Sequence, residues 1–202
     1  MFKQNPTSEL FAVPLWEFNL ESPADANISI ENRVYEKSVN EKNRLASNEG
    51  GWHSDGNMCD DPVMTPILRF IEWSVNELST ESRMKYSPYK IFLWANLNRP
   101  GDYNTMHSHP DSHLSGVYYV KVPEGDCGEL RFYNPMYHYN YPNSQITSEF
   151  TSPRVDITGK EGSMYIFRSP IMHDVTRNNT QEDRISVSFN IVFDSIFVNL
   201  YK

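Results

Sequence analysis

Over residues 90–193 the chain alternates apolar and polar positions in short runs, broken by Gly, Pro, Asn and Asp. A period of two between turn formers marks β-strands, because successive side chains point to opposite faces of a sheet. The pattern predicts strands at Ile91–Leu97, Leu114–Val120, Glu129–Tyr133, Arg154–Ile157, Ser163–Phe167, His173–Thr176 and Arg184–Phe193. Residues 134–153 follow no period, and connections of that length tend to carry function. Before residue 90 the texture changes. Leu10–Leu20 reads as a strand that Pro14 confines to an edge or bulge. Residues 22–60 are polar with little periodicity, and Ile30–Leu45 carries only a weak helical pattern. A helix over Pro66–Leu78 is clear: Ile67, Leu68, Ile71, Val75 and Leu78 fall on one stripe, with Thr65 as N-cap and Pro66 in the first position. Many short strands after a leading helix predict a mainly β fold, a barrel or double-sheet roll with helices packed outside.

Length and composition narrow this picture. With 202 residues the chain is expected to form one domain, residues 1–89 giving N-terminal support and 90–202 the β core. The 12 Tyr, 11 Phe and 4 Trp suit sheets better than a helical bundle. A formal charge of −8 without a cluster of Lys and Arg argues against nucleic acid as a partner. Cys59 and Cys127 are too few for a disulfide framework and read as reduced thiols. No apolar run is long enough to cross a bilayer, and the first residues lack the apolar core of a signal peptide. The expectation is a soluble, cytoplasmic protein. Its oligomeric state is not legible.

The chemistry concentrates in a few residues. His107 and His109 lie two apart, so an extended segment presents both imidazoles on one face. His173 opens a strand far along the chain, where a rolled sheet can return it to the first pair. Three neutral imidazoles suit a divalent transition metal, although a bare His-x-His in a loop is more often solvated. Arg184 begins Arg-Ile-Ser-Val-Ser-Phe-Asn, in which Arg184, Ser186, Ser188 and Asn190 share one strand face and Ile185, Val187, Phe189 and Ile191 the other. An inward guanidinium needs an anion, either a bound carboxylate with Ser186 as a further donor or a core Asp or Glu. Tyr119 shares a face with Ser115 and Val117 and can donate to the same anion, or it is an ordinary strand aromatic. Asn96 is predicted to point inward, as an orienting group or as a polar residue at a strand end.

These residues also stand in a familiar order. Trp94-Ala-Asn96, His107-Ser-His109-Pro, Leu114-Ser-Gly-Val-Tyr-Tyr-Val, Gly128-Glu-Leu-Arg-Phe, His173 and Arg184-Ile-Ser-Val-Ser-Phe-Asn resemble the 2-oxoglutarate/Fe(II) oxygenase superfamily. More narrowly they resemble a branch with a His-x-His-Pro motif, and the central strands resemble the prolyl-hydroxylase type. The opening Leu10-Phe-Ala-Val-Pro and Gly50-Gly-Trp-His-Ser extend the likeness over most of the chain. The resemblance implies a double-stranded β-helix (jelly roll) with flanking N-terminal helices. It implies Fe(II) as cofactor and 2-oxoglutarate as co-substrate, ascorbate as an accessory reductant, and hydroxylation of an unidentified substrate. Tyr119 and Arg184 would hold the co-substrate carboxylate.

One departure matters. The superfamily usually carries Asp or Glu two residues after the first His, and this chain has His109. Either His109 ligates in a three-His site, or Asp111 reaches in instead, or the protein supplies two ligands only. Strand geometry favours His107, His109 and His173. The Tyr-rich Met136–Pro142 stretch is read as a substrate lid or as a packed surface loop. Trp52, His53 and Asp55 are candidates for the mouth of the site, although His53 and His138 are otherwise expected at the surface. Two other classes compete with the oxygenase: a cupin-like three-His metal enzyme without 2-oxoglutarate, and a non-catalytic jelly-roll binding protein.

Overall fold

The computed structural model describes residues 12–81, 84–86, 88–137, 152–194 and 196–198. Strands β1 (Leu15–Asn19), β2 (Asn48–Glu49) and β3 (Trp52–His53) alternate with helices α1 (Ala24–Asn40) and α2 (Thr65–Glu81). After β4 (Met84–Tyr86) come β5 (Tyr89–Asn98), β6 (Tyr103–His107), β7 (Leu114–Lys121), β8 (Leu130–Tyr133), β9 (Arg154–Ile157) and β10 (Ser163–Arg168). The series ends with β11 (His173–Val175), β12 (Arg184–Phe193) and β13 (Ile196–Val198). Two antiparallel sheets form the body, a six-stranded one in the order β1-β10-β7-β12-β5-β3 and a five-stranded one in the order β2-β6-β11-β8-β9. This is a double-stranded β-helix.

The central strand β12 shows why the sheets pack as they do. Its Ile185, Val187 and Ile191 are fully buried against Leu93, Ala95 and Leu97 of β5 and the apolar stripes of the two helices. Ile67, Ile71, Val75 and Leu78 of α2 and Ile30 and Val34 of α1 complete that layer. Each such side chain contributes roughly 1.5–3 kcal/mol on burial, which outweighs the modest helix propensity of α1. The alternate residues of β12 turn towards the five-stranded sheet, where Tyr119, Leu130, Phe132, Tyr165 and Phe167 form a smaller cluster between the sheets.

Several expectations shift. The weak helix at 30–45 is a full helix over 24–40, and only Asn27, Ile30 and Val34 of it are buried. Its stripe looks thin in sequence because one core-facing position is Asn27, which accepts the Tyr118 hydroxyl at 2.7 Å. Thr65 is no N-cap. It lies in the helix itself and its hydroxyl donates to the Pro62 carbonyl, while Asp61 caps the preceding 3-10 turn by accepting from the Val63 amide. Strand β6 has no counterpart in the alternation pattern, because only Asn104 of its five residues is buried. Pro14 precedes β1, which is an edge strand. Leu10, and Met136–Pro142 beyond Tyr137, lie outside the described residues, as does His138.

Candidate functional site

Register brings the first two histidines together. His107, the last residue of β6, faces His173, the first residue of β11, as a direct cross-strand partner. The chain then continues for two residues, and the His109 amide donates to the Ser169 carbonyl at 2.9 Å. That bond turns the third imidazole onto the same point. Ring centroids lie 4.3 Å apart for His107 and His173, 5.0 Å for His107 and His109, and 5.2 Å for His109 and His173. One nitrogen from each ring falls within 4.8 Å of the other two, a spacing that can hold a metal ion.

Hydrogen bonds fix which nitrogen is free. His107 Nδ1 sits 2.7 Å from the Thr105 carbonyl and His173 Nδ1 2.9 Å from the Ile171 carbonyl. A carbonyl only accepts, so both Nδ1 atoms carry the proton and both Nε2 lone pairs are left for a cation. Burial keeps the rings neutral. It pushes His173 down to about 3, helped by the neighbouring His107 and His109, and His109 down to about 4, with His107 as the second cause. Burial also lowers His107. Phe167 packs its edge on the His173 ring at 4.9 Å and holds its plane.

Asp111, the alternative ligand, and the other histidines near the site stand apart from that group. Asp111 is exposed and is not among the grouped residues. His113 accepts the Phe193 amide on Nδ1 at 3.1 Å, a backbone strut. His53 is not at the surface: it is 5 % exposed and stacks on Trp94 with centroids 5.8 Å apart. It lines the cavity beside the three histidines, as predicted for the mouth, whereas Trp52 is a core residue and Asp55 is exposed.

The histidines open into a cavity of about 350 Å³ whose wall is the inner face of β7, β12 and β5. That face is laid out in cross-strand rows. Arg184 pairs with Asn98 in the first row, and Tyr119, Ser186 and Asn96 form the second. Val117, Ser188 and Trp94 form the third, and Ser115, Asn190 and Phe92 the fourth. Arg184, Ser186, Tyr119 and Asn96 all line the cavity, as the alternation predicts. His109 approaches the fourth row, with its Nδ1 3.4 Å from Asn190 Nδ2.

Arg184 is the unusual group. It is 2 % exposed, and among the described residues no carboxylate pairs with it. Its Nη1 donates to the Gly128 carbonyl at 3.0 Å and its Nη2 to Asn98 Oδ1 at 2.9 Å, while its Nε has no partner. A buried guanidinium with neutral acceptors and a spare N–H is short of an anion, since an unpaired buried donor costs about 1–3 kcal/mol. Tyr119, 2 % exposed, is pushed up to about 12 by burial, against the opposing pull of Arg184, so its phenol stays protonated as a donor. Asn96 donates to the Ser188 hydroxyl at 3.0 Å, which directs its amide along the same wall.

Asn98 and Gly128, the two acceptors for Arg184, escape sequence reasoning. Asn98 shares the parity of Asn96 and was legible in principle. Gly128 was not: its φ of +93° and its place against the Thr176 carbonyl, 2.4 Å from where a Cβ would stand, emerge only in the fold.

Comparison with known proteins adds a family and a fold. Residues 92–190 match the family described as "Putative 2OG-Fe(II) oxygenase". No curated protein matches the chain. Among solved structures, the chain is similar to a prolyl-4-hydroxylase from Pseudomonas putida, at a TM-score of 0.63 and 13% identity over 91% of this chain and 94% of that one. It is similar also to the epimerase SnoN from nogalamycin biosynthesis, solved with Fe3+, α-ketoglutarate and nogalamycin RO, at a TM-score of 0.67 and 13% identity over 91% and 80%. HygX from Streptomyces hygroscopicus, solved with nickel, 2-oxoglutarate and hygromycin B, gives a TM-score of 0.63 and 10% identity over 89% and 83%.

Proposed function

We propose, for a chain that belongs through residues 92–190 to the 2OG-Fe(II) oxygenase family, that it is a 2-oxoglutarate-dependent dioxygenase of the hydroxylase type. The observation that carries this reading is Arg184, a buried guanidinium that no carboxylate of the described residues pairs, on the wall of the cavity that three imidazoles enter. The donor set fits both groups the reaction needs. His107, His109 and His173 would hold Fe(II) through neutral nitrogens. Arg184 through its spare N–H, with the hydroxyls of Ser186 and Tyr119, would hold the far carboxylate of 2-oxoglutarate. When bound, the metal and co-substrate together supply oxidative decarboxylation coupled to hydroxylation of a substrate C–H bond.

The protein's own part is positioning and exclusion of water. Arg184 selects a dianionic co-substrate by leaving a buried donor unmet in its absence. Tyr119, held neutral, donates without adding charge. Asn96 orients the co-substrate or the substrate from the same row. Ascorbate would serve as an accessory reductant for the bound iron. Two free thiols, Cys59 and Cys127, suit the reducing cytoplasm. Among the described residues no helix is long and apolar enough to cross a membrane.

A three-His metal enzyme that dispenses with 2-oxoglutarate draws support from the missing carboxylate ligand. It leaves Arg184 unexplained. The deciding experiment is an anaerobic titration of the Mn(II)-loaded protein with 2-oxoglutarate, followed by thermal unfolding, and then succinate release with Fe(II) and ascorbate in air. Co-substrate at a hundred times its dissociation constant stabilises the protein by about 2.7 kcal/mol. Unaltered affinity in Arg184→Gln, checked for folding by circular dichroism, overturns the carboxylate assignment.

A further inference from the structure

The rows of the inner sheet face do not stop at the histidines. Beyond Asn190 and Phe92 comes a fifth pair, Val192 and Lys90. There the sheet opens into a groove of about 560 Å³ that shares His53, Trp94 and His109 with the cavity. Phe92 is 47 % exposed on the floor of the groove, on the stretch of β5 that β12 flanks on one side and the short strand β3 does not reach on the other. Trp94, one row nearer the histidines, is braced by His53 in a near-parallel stack of 12°. Together they offer a flat apolar strip that leads to His109.

Two cations border that strip. Lys90 shares the strand face of Phe92 and Trp94. Arg44, whose backbone amide donates to the His53 carbonyl at 3.0 Å, lays its guanidinium over Gly56, where a Cβ would come within 3.2 Å of Nη1. Neither forms an ion pair among the described residues. Asp111 is the one acid in the lining, so the groove carries two positive charges against one negative in a chain whose net charge is −8. Local charge of the opposite sign to the whole is a recognition feature, since it attracts what the rest of the surface repels.

From this arrangement we infer that the groove is the substrate subsite, and that the substrate carries an anionic group on a flat apolar body. The body lies on Phe92 and Trp94, the anion meets Arg44 and Lys90, and the bond to be oxidised is presented towards His109. The inference rests on the oxygenase reading, which makes the histidine end the reacting end.

The test uses protein loaded anaerobically with Mn(II) and saturated with 2-oxoglutarate, so that Arg184 is already engaged. Phenylacetate, phenylacetamide and phenethylamine are then titrated by proton NMR. The expected result is saturable binding of phenylacetate at least tenfold tighter than the amide, with ring protons broadened by Mn(II) and not by Zn(II). Arg44→Gln combined with Lys90→Gln reduces the preference to less than twofold and leaves the affinity for 2-oxoglutarate unchanged. Equal binding of acid and amide, tighter binding of the amine, no saturable binding of the acid, a preference that survives the double substitution, or broadening that does not depend on Mn(II) overturns the inference. Failure of 2-oxoglutarate to bind is a different outcome. It removes the oxygenase reading, and with it the claim that the groove serves a substrate.

Discussion

Arg184 and Asn98 stand opposite each other in the register of β12 and β5, and the guanidinium donates to the Asn98 side-chain oxygen at 2.9 Å where a carboxylate would ordinarily sit. The neutral acceptor orients the cation without neutralising it. Asn98→Asp would supply the missing charge, and hydrogen bonds between charged partners are worth about 1.5–3 kcal/mol. The expected outcome is a higher melting temperature for the ligand-free protein and at least tenfold weaker binding of 2-oxoglutarate. Calorimetry and titration on the same samples check both. Tighter co-substrate binding would place its far carboxylate elsewhere.

Gly159 backs the ring of Tyr119, and a Cβ at that position would lie 2.4 Å from it. The ring is fully buried and has the cavity as its route of retreat. Gly159→Ala is therefore expected to cost roughly 1–3 kcal/mol of stability, the usual range for overpacking. It should also weaken 2-oxoglutarate binding by narrowing the pocket. Tyr119→Phe in the same background separates the two effects, because it keeps the bulk and removes only the hydroxyl.

Asn190 reaches the third histidine. Its Oδ1 accepts the Ser115 hydroxyl at 2.7 Å, and its Nδ2 lies 3.4 Å from His109 Nδ1. For His109 to ligate through Nε2, its Nδ1 must carry the proton and meet an acceptor, which a rotated Asn190 amide provides. Asn190→Asp presents acceptors to both neighbours and is expected to keep metal affinity. Asn190→Leu removes them and is expected to lower it 10–100-fold, the range for loss of a ligand's supporting bond. Competition with a chelator reads both values.

Acid should loosen the metal-free chain before it unfolds for other reasons. Burial holds His173 at about 3 and His109 at about 4, while in the unfolded chain each titrates near about 6.5. Between those values the unfolded chain binds protons that the folded one refuses, so stability falls as pH falls. The full contribution is present above pH 6.5 and drains away towards pH 3. Urea titrations at pH 7 and pH 5 should show the loss, and His173→Gln should diminish it. An equal loss in that variant would assign the effect to other groups.

How much of this was legible depended on whether a strand had an apolar side. In β12 the buried Ile185, Val187 and Ile191 alternate with Arg184, Ser186, Ser188 and Asn190, so both the strand and its inward polar face could be read from the residues. In β6 the same chemistry is carried by Tyr-Asn-Thr-Met-His, whose one buried residue is Asn104, bonded to Asn98 and Ser47. A strand held by amide contacts leaves no hydrophobic period. His53 was misplaced for a related reason: its burial comes from stacking on Trp94, a contact 41 residues away in the chain that no local pattern encodes. The helix α1 was read at 30–45, displaced from its observed 24–40, because its core contacts are few and one of them is an asparagine.

Strand β12 acts as a ruler. From Arg184 to Asn190 it advances six residue steps, about 20 Å at the rise of an antiparallel strand, and it graduates that length in steps of two. Deleting a single residue between them would turn every later mark to the opposite side. Ser188 and Asn190 would then enter the oily layer beneath the helices, and Ile191 would take their place facing the imidazoles. Evolution can therefore alter what each graduation carries, but it cannot easily change the distance between the two ends of the scale.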